Sequence, residues 1–200
     1  MAVLLTSDLH LGHQNITKFR QGPWGSDVKA HDQHIIAQWN SVVSNDDTVV
    51  VLGDFIMGHK AETLNYVKDL NGRRILLVPG NHDGPFSGNK PAYREKWIET
   101  YMAYGIEIMP EVVRNQWAMF PEDLAVDLSH FPFDQDTRHE DRFAANHPSK
   151  EGRPLLHGHV HDLWITRQGQ INVGVDVWDY KPVSIEQLIP LIKSAKEVIA

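Results

Sequence analysis

Apolar, β-branched runs alternate with longer amphipathic segments in the first part of the chain. The runs at 2–7, 48–52 and 74–78 predict buried strands. The helical spacing of apolar residues predicts one helix that begins at an N-cap on Ser26 and a second helix over Lys60–Leu70. Because predicted strands and helices alternate along the chain, this part predicts a parallel sheet with crossover helices.

Short apolar runs dominate the rest of the chain, after a helix predicted over Pro91–Tyr104. They predict strands joined by turns, at 112–113, 117–120, 124–129, 155–157, 162–166 and 171–176. Ser184 and Gln187 form a capping box that predicts a last helix, which Pro190 should break or kink after one turn. The second half therefore predicts a mixed sheet or a second sheet.

The composition is that of an ordinary globular chain. Hydrophobic residues make up 42% and charged residues 22% of the 200 residues, and cysteine is absent. No run approaches the roughly 18 apolar residues that cross a bilayer, and the opening lacks the basic region of a secretion signal. The polar stretch 134–153 predicts a long exposed loop rather than a linker. We therefore expect a single cytoplasmic domain over 1–200, with no membrane association and no thiolate site.

The chain is acidic, with 19 Lys and Arg residues against 26 Asp and Glu residues and a formal net charge of −7. Long DNA or RNA binds basic faces, so this balance argues against a long nucleic acid as a partner. A small phosphorylated substrate is compatible with it, provided that positive charge is concentrated locally, for instance on metal ions. The unusual feature of the composition is its 12 histidines, and their positions carry the functional prediction.

Five polar clusters directly follow predicted strands. They are Asp8-Leu9-His10, Gly53-Asp54, Gly80-Asn81-His82-Asp83, Ser129-His130 and Gly158-His159-Val160-His161. In open α/β sheets the carboxyl ends of the strands line the ligand crevice, so these clusters can meet there. Asp, His and Asn side chains form an oxygen and nitrogen ligand set that suits Mn, Fe, Co, Ni, Zn or Mg. Asp8 and His10, like His159 and His161, are two residues apart, so on an extended segment each pair can aim at one point.

Taken singly, each cluster is more often a plain polar turn than a ligand set, but packing does not require all five at strand ends. In this order they resemble the signature of the calcineurin-like metallophosphoesterase superfamily, which runs D-x-H, GD, GNH(D/E), H and GHxH. The opening at 8–16, DLHLGHQNI, is similar to that of small bacterial and phage members. The resemblance covers 8–161 and implies an α/β fold, a two-sheet αββα sandwich with mixed sheets and a two-metal site at its edge.

The resemblance also implies a role for each matching side chain. One metal would be held by Asp8, His10, Asp54 and His161. The second would be held by Asp54, Asn81, His130 and His159, with the Asp54 carboxylate bridging. His82 would be the catalytic histidine that contacts the phosphate or the leaving oxygen, and Asp83 would hold its imidazole in position. His13 is left open between a substrate contact and a contact to a ligand.

Two divalent ions are the expected cofactors, Mn first, with Fe, Co, Ni, Zn or Mg as alternatives. With two carboxylates and a bridging hydroxide they keep a net charge of about +1, which attracts phosphate, and the hydroxide attacks phosphorus in line. A site of that charge with few arginines favours singly charged diesters. The expected activity is therefore hydrolysis of small nucleotide-like phosphodiesters, such as 2′,3′-cyclic nucleotides. A phosphomonoesterase, a nuclease and a metal-free phosphate-binding module stay open as alternatives.

Histidines and arginines outside the five clusters are expected to have structural or surface roles. His31 and His34 fall on the first predicted helix and are expected at the surface or its boundary. His157 precedes the last cluster and is expected in the core or beside a ligand. Arg138 and Arg142 lie in the polar stretch and are expected to be solvated.

Overall fold

The computed structural model describes residues 1–116, 120, 124–134 and 143–199. The first sheet consists of β1 Val3–Thr6, β2 Thr48–Val51, β3 Arg74–Leu77, β4 Ile106–Ile108 and β10 Val183–Ser184. Its order is β10-β1-β2-β3-β4, in which β1 to β4 are parallel and β10 pairs antiparallel with β1. The predicted parallel sheet is confirmed, and its three predicted strands lie within one residue of the observed bounds.

A second sheet is formed by the later part of the chain. It consists of β5 Val112–Gln116, β6 Val126–Ser129, β7 Leu155–His157, β8 Thr166–Arg167 and β9 Gln170–Asn172. Its order is β5-β6-β7-β9-β8, with β6, β7 and β9 parallel and the two outer strands antiparallel to their neighbours. The prediction of an α/β fold with two mixed sheets is therefore confirmed. The run predicted at 117–120 lies outside the described residues, except for Phe120.

Four α-helices accompany the sheets in the described part of the chain. They are α1 Val28–Asn40, α2 Lys60–Thr63, α3 Pro91–Ala103 and α4 Ile185–Ile199, and α2 continues as a 3-10 turn over Leu64–Asp69. The N-cap of α1 is Asp27 rather than the predicted Ser26, because the Asp27 carboxylate accepts from the backbone N–H groups of Lys29 and Ala30. Within these ranges, no helix is both long enough and apolar enough to cross a membrane.

Alternation along the central strands divides the core into two layers. Val49 and Val51 of β2 pack in a cluster with Trp39 of α1. The intervening Val50 belongs to a second cluster, which contains Leu128 of β6 and therefore lies between the sheets. Because both faces of the first sheet are covered, its strands read as continuous apolar runs in the sequence.

The second half departs from the predicted elements at two places. The run 162–166 forms a turn in which only Thr166 belongs to a strand, and its Leu163 and Ile165 side chains are exposed. The run 171–176 leaves the sheet after Asn172 and ends in a 3-10 turn. Within the described structure, the run 171–176 pairs with its neighbours only through Ile171 and Asn172 and through an isolated bridge from Gly174 to Ser7, and the run 162–166 pairs only through Thr166.

Two further expectations concern Pro190 and the polar stretch 134–153. The sequence predicts a break or a kink at Pro190. The last helix continues through Pro190 to Ile199, so the break is wrong and the kink stays a prediction. Leu188 and Ile192 of this helix are fully buried, and their packing outweighs the hydrogen bond that proline removes. The described part of the polar stretch is exposed or half-buried apart from Pro148, as predicted, while 135–142 lie outside the described residues.

A buried carboxylate connects the first strand to the turn before the second. Asp47 accepts hydrogen bonds from the backbone N–H of Ala2 at 2.6 Å and from the backbone N–H and hydroxyl of Ser44 at 2.9 and 2.7 Å. These bonds, that from Ala2 above all, lower the pKa of Asp47 to about 2. Because the folded protein favours the ionised form, Asp47 stabilises the fold at neutral pH.

We expect Asp47→Asn to lower the melting temperature by several degrees at pH 7. The neutral Asn amide has one acceptor oxygen, so it cannot replace a charged carboxylate that accepts three hydrogen bonds. The stabilisation by Asp47 is complete above the pKa of the unfolded carboxyl, near 4, and is lost as the pH falls towards 2. The difference in melting temperature between wild type and variant should therefore shrink over that interval, as circular dichroism can measure. The exposed neighbour provides the control, Asp46→Asn, and an equal effect of both substitutions would contradict this role.

Candidate metal centre

The polar clusters predicted from the sequence meet where strands of both sheets end. The first sheet contributes the residues that follow β1, β2 and β3, which are Asp8, His10, Asp54, Asn81 and His82. The second sheet contributes the residues that follow β6 and β7, which are His130, His159 and His161. Within each sheet these strands are parallel, so their carboxyl ends lie along one edge.

Asp54 lies in the middle of this group. Its Oδ2 is 3.6 Å from Nε2 of His10 and 3.6 Å from Nε2 of His130. Its Oδ1 accepts a hydrogen bond from the backbone N–H of His82 at 2.9 Å, which fixes the carboxylate plane. Burial raises the pKa of Asp54, but the neighbouring His130 and His82 outweigh burial and hold this pKa below its usual value.

One half of the centre is formed by Asp8, His10 and His161, whose ligand atoms lie within 4.8 Å of one another. The His10 and His161 rings stack at 5.1 Å between centroids. Asp8 Oδ2 accepts from the backbone N–H of His159 at 2.9 Å, while Oδ1 lies 3.9 Å from His10 Nε2. Three side chains thus direct nitrogen and oxygen lone pairs at a common space.

The other half is formed around His130. Asp8, Asp54 and His130 are a second group with ligand atoms within 4.8 Å. His130 Nδ1 lies 2.8 Å from the carbonyl oxygen of Leu52 and donates to it, which leaves the Nε2 lone pair directed at Asp54. Asn81 Oδ1 lies 3.1 Å from the same Nε2. The His159 ring is 5.0 Å from the His130 ring, so it lies on this side.

The donors of this centre fit a divalent cation. Asp8 Oδ1 and His10 Nε2 are buried, and the described structure offers neither a hydrogen-bond partner. Buried polar atoms without partners are costly, and both of these atoms are good ligands for a cation of borderline hardness. The two groups of Asp and His side chains could therefore hold metal ions.

Left-handed backbone is concentrated at the ligands. Five of them have positive φ angles, namely Asp8 at 58°, His10 at 51°, Asp54 at 51°, His159 at 71° and His161 at 49°. This conformation costs a non-glycine residue about 1–2 kcal/mol, and it persists where the surrounding structure enforces it. The side chains are therefore aimed by strained turns after the strands rather than by extended chain.

The spacing argument for His159 and His161 is corrected by these turns. His159 packs beside His130, whereas His161 stacks on His10, so the two side chains serve opposite halves of the centre. Two residues on an extended segment would point the same way, but each of these histidines lies in the left-handed region.

Glycines in the motifs allow the ligand loops to approach one another closely. A Cβ on Gly80 would overlap Asp54 Oδ1 and lie 2.9 Å from Cγ of His130. A Cβ on Gly158 would overlap Ser7 Oγ and lie 2.5 Å from Asp8 Oδ2. The backbone thus passes where no larger side chain fits, which explains why glycine precedes the ligands of these two motifs.

Asp83 has a different role from the one predicted. Its Oδ2 accepts from the backbone N–H groups of Asp54 at 2.8 Å and Gly80 at 2.9 Å, and Oδ1 accepts from Phe55 at 3.1 Å. Burial and the nearby Asp54 carboxylate raise the pKa of Asp83 to about 7 in spite of these bonds. Asp83 therefore holds the backbone of two ligand loops together, and its oxygens are not directed at the His82 imidazole.

His82 lies at the open side of the centre. Its side chain is 43% exposed, and its Nε2 is 3.9 Å from Asp54 Oδ2. The His13 ring is half-buried, with its centroid 6.5 Å from that of His82 and 5.5 Å from that of His10. Burial lowers the pKa of both His82 and His13, so each imidazole is largely neutral at pH 7.

Two residues outside the motifs complete the surroundings of His161. Its Nδ1 lies 2.9 Å from Oδ2 of Asp176, and Asp176 also accepts from Arg20. Burial raises the pKa of Asp176, but the hydrogen bond from His161 and the charge of Arg20 outweigh it and hold the value at about 2. The sequence carried a signal for Asp176, which ends the apolar run 171–176 much as Asp8 and Asp54 come after the runs at 2–7 and 48–52. Arg20 has no such signal.

The surface position predicted for His31 is wrong. Its side chain is fully buried, with Nε2 3.4 Å from Arg20 Nη1 and Nδ1 3.0 Å from Asp32 Oδ1. Asp32 in turn accepts from the backbone N–H of Gly12 at 2.9 Å. His31 lies one helical turn before the buried Ile35, so the inward face of α1 carries a polar network beneath the first ligand loop.

Other expectations for histidines and arginines have mixed outcomes. His157 is fully buried and His34 is half-buried, as predicted. Arg138 and Arg142 lie outside the described residues, so their solvation stays a prediction.

The chain is similar over nearly its whole length to several known proteins. The family model for the calcineurin-like phosphoesterase superfamily domain matches residues 1–178. The Gene 66 protein of Mycobacterium phage L5 is 34% identical over 202 residues, which cover 96% of this chain and 94% of that protein. An uncharacterised protein of Methanocaldococcus jannaschii is 27% identical over 205 residues, covering 98% and 94% of the two chains. A solved structure from Aquifex aeolicus, of a protein of unknown function, has a TM-score of 0.65 at 26% identity and covers 96% and 99% of the two chains.

We expect Asp54→Ala to abolish metal binding in both halves of the centre, because one oxygen of Asp54 faces His10 and His130 alike. Metal content after dialysis against Mn should fall from two equivalents to none, as measured by elemental analysis. His59→Ala is the control, since His59 is exposed at the start of α2 and its side chain makes no capping hydrogen bond. A folded Asp54→Ala protein that keeps both equivalents would contradict the arrangement.

Proposed function

The chain belongs to the calcineurin-like phosphoesterase superfamily, and we propose that it hydrolyses phosphodiester bonds of small nucleotide-like substrates in a metal-dependent reaction. The observation that carries this proposal is the carboxylate of Asp54, with His10 and His130 nitrogens each 3.6 Å from its Oδ2. An oxygen placed between two imidazoles in this way fits a carboxylate that bridges two divalent ions. Mn is the proposed ion, with Fe, Co, Ni, Zn or Mg as alternatives.

The ligands of the centre would be distributed between two metal ions. Asp8, His10 and His161 would hold one ion, Asn81, His130 and His159 the other, and Asp54 both. When bound, such ions supply an activated water and positive charge for the oxygens of a phosphoryl group. Asn81 contributes a neutral ligand, so the negative charge of the ligand set is limited to the two aspartates and a phosphate anion is still attracted.

His82 is proposed as the residue that assists the leaving oxygen. Its backbone is held by Asp54, and its imidazole is exposed beside the centre, where a substrate can reach it. An anionic phosphate beside this ring stabilises the imidazolium and so opposes the lowering of its pKa by burial. His13 lies next to His82 and is proposed as a second contact to the substrate.

The preference for a diester is argued from the cations around the centre. Arg20 is engaged by Asp176, and Lys60 Nζ donates to the carbonyl oxygen of Ile56 at 3.2 Å. Among the described residues, Arg20 therefore has its charge paired and does not offer it to the second charge of a monoester, whereas Lys60 is held at one donor by a neutral backbone oxygen. A singly charged diester, such as a 2′,3′-cyclic nucleotide, needs no such partner.

After removal of metal by a chelator, hydrolysis of bis-p-nitrophenyl phosphate should stop, and addition of Mn should restore it. The restored enzyme should cleave this diester, and 2′,3′-cyclic AMP, with a higher kcat/KM than p-nitrophenyl phosphate. Unchanged hydrolysis in the chelator would exclude metal-dependent chemistry. A clear preference for the monoester would contradict the proposed diesterase activity and indicate a phosphomonoesterase. Cleavage of long DNA or RNA in preference to either ester would indicate a nuclease.

We expect His82→Ala to lower kcat for 2′,3′-cyclic AMP by about 10²–10⁴, the usual contribution of a general acid, because the leaving oxygen of this substrate is a ribose alkoxide that needs a proton. Its metal content should stay that of the wild type, because His82 is not among the proposed ligands. His59→Ala serves again as the control and should keep full activity. Loss of metal from His82→Ala, or retention of full turnover, would show that the assigned role is wrong.

A further inference from the structure

A buried arginine outside the motifs contacts the backbone of the first ligand loop. Arg20 is 4% exposed. Its Nη2 donates to the carbonyl oxygen of Asp8 at 2.5 Å, and its Nη1 donates to that of Leu9 at 3.3 Å. Asp8 lies in the left-handed region at a φ of 58°, a conformation that an unsupported aspartate does not favour. The guanidinium thus binds the carbonyl groups of the two peptide bonds that connect Asp8 to His10.

The same guanidinium is joined to a ligand from the other sheet. Nε and Nη2 of Arg20 donate to Oδ1 and Oδ2 of Asp176 at 2.6 Å each, in a two-bond pair with a carboxylate that is 7% exposed. Asp176 Oδ2 also accepts from Nδ1 of His161 at 2.9 Å. This bond places the proton of His161 on Nδ1 and leaves the Nε2 lone pair for a metal.

Arg20 is not placed to bind substrate. Its guanidinium is buried, and its donors are engaged by a carboxylate and two backbone carbonyl groups. Arg153 provides a contrast. Like Arg114, it pairs with the buried Asp127 at the far end of β6, and it also contacts Glu151 but none of the proposed ligands. An ion pair needed only for folding has no reason to contact Asp8 and His161 together.

We propose that Arg20 and Asp176 are positioning residues that set the metal affinity of the half of the centre formed by Asp8, His10 and His161. This inference rests on the proposed metal-dependent function. Arg20 fixes the loop that aims Asp8, and Asp176 fixes the tautomer and the orientation of His161. The half around His130 depends less on these residues, because His130 is held by the carbonyl oxygen of Leu52 and this half meets the Arg20-bound loop only through Asp8, whose Oδ2 accepts from the backbone N–H of His159.

The test is a titration of the metal-free protein with Co²⁺, followed by its visible absorption and by calorimetry. Wild type should show two binding events. Asp176→Asn, Arg20→Lys and Arg20→Gln should each weaken one event by about 10–100-fold and the other clearly less. Arg20→Lys should lose less than Arg20→Gln, because lysine keeps the charge but cannot bond two carboxylate oxygens at once. Arg153→Gln is the matched control and should leave both events as in wild type.

Each outcome separates this inference from the proposed function. Two unchanged events in all the variants would overturn the positioning role and leave the proposed function intact. Equal weakening of both events in a protein with unchanged circular dichroism would overturn the assignment to one half. A wild-type protein that binds no Co²⁺ would overturn the proposed function, and the inference with it. If Arg20→Gln does not fold, Asp176→Asn decides, since it preserves the size of the side chain.

Discussion

The carboxylate of Asp54 is the constraint around which the two sheets are arranged. One of its oxygens is fixed by the backbone N–H of His82, and the other faces an imidazole from each sheet at 3.6 Å. For that geometry to exist, β1, β2 and β6 must end at the same edge, and their loops must approach within a few ångströms. The registers of both sheets and the glycines beside the ligands follow from that requirement.

Local backbone preference opposes this arrangement, and tertiary contacts overcome it. Left-handed aspartate and histidine residues are unfavourable at about 1–2 kcal/mol each. Asp83 offsets part of this cost by accepting three backbone N–H groups from the loops that follow β2 and β3. Arg20 does the same for the loop after β1 by binding the carbonyl groups of Asp8 and Leu9. Hydrogen bonds from buried side chains thus hold the strained turns in place, while His82 stays exposed to solvent.

The acidic character of the chain is compatible with the phosphoester hydrolysis proposed for it. The formal net charge of the chain is −7, and the charge of the buried Arg20 is paired with that of Asp176. Positive charge for a phosphate would therefore come from ions held by Asp8 and Asp54. This division, in which the protein supplies anionic and neutral ligands and the metal supplies the cation, is what makes a small acidic domain suitable for phosphoester chemistry.

The sequence by itself determined the strands of the first sheet, the helix at 91–104 and the strand-end position of every proposed ligand, because periodicity and motif spacing are local properties. Only the tertiary structure decided that Asp83 binds backbone, that His31 is buried, that His159 and His161 serve opposite halves, and that α4 passes through Pro190. It also joined Arg20 to Asp176, which no local pattern connects. These outcomes depend on which surfaces meet when distant segments pack, and the energy of such contacts exceeds the local preferences from which a sequence is read.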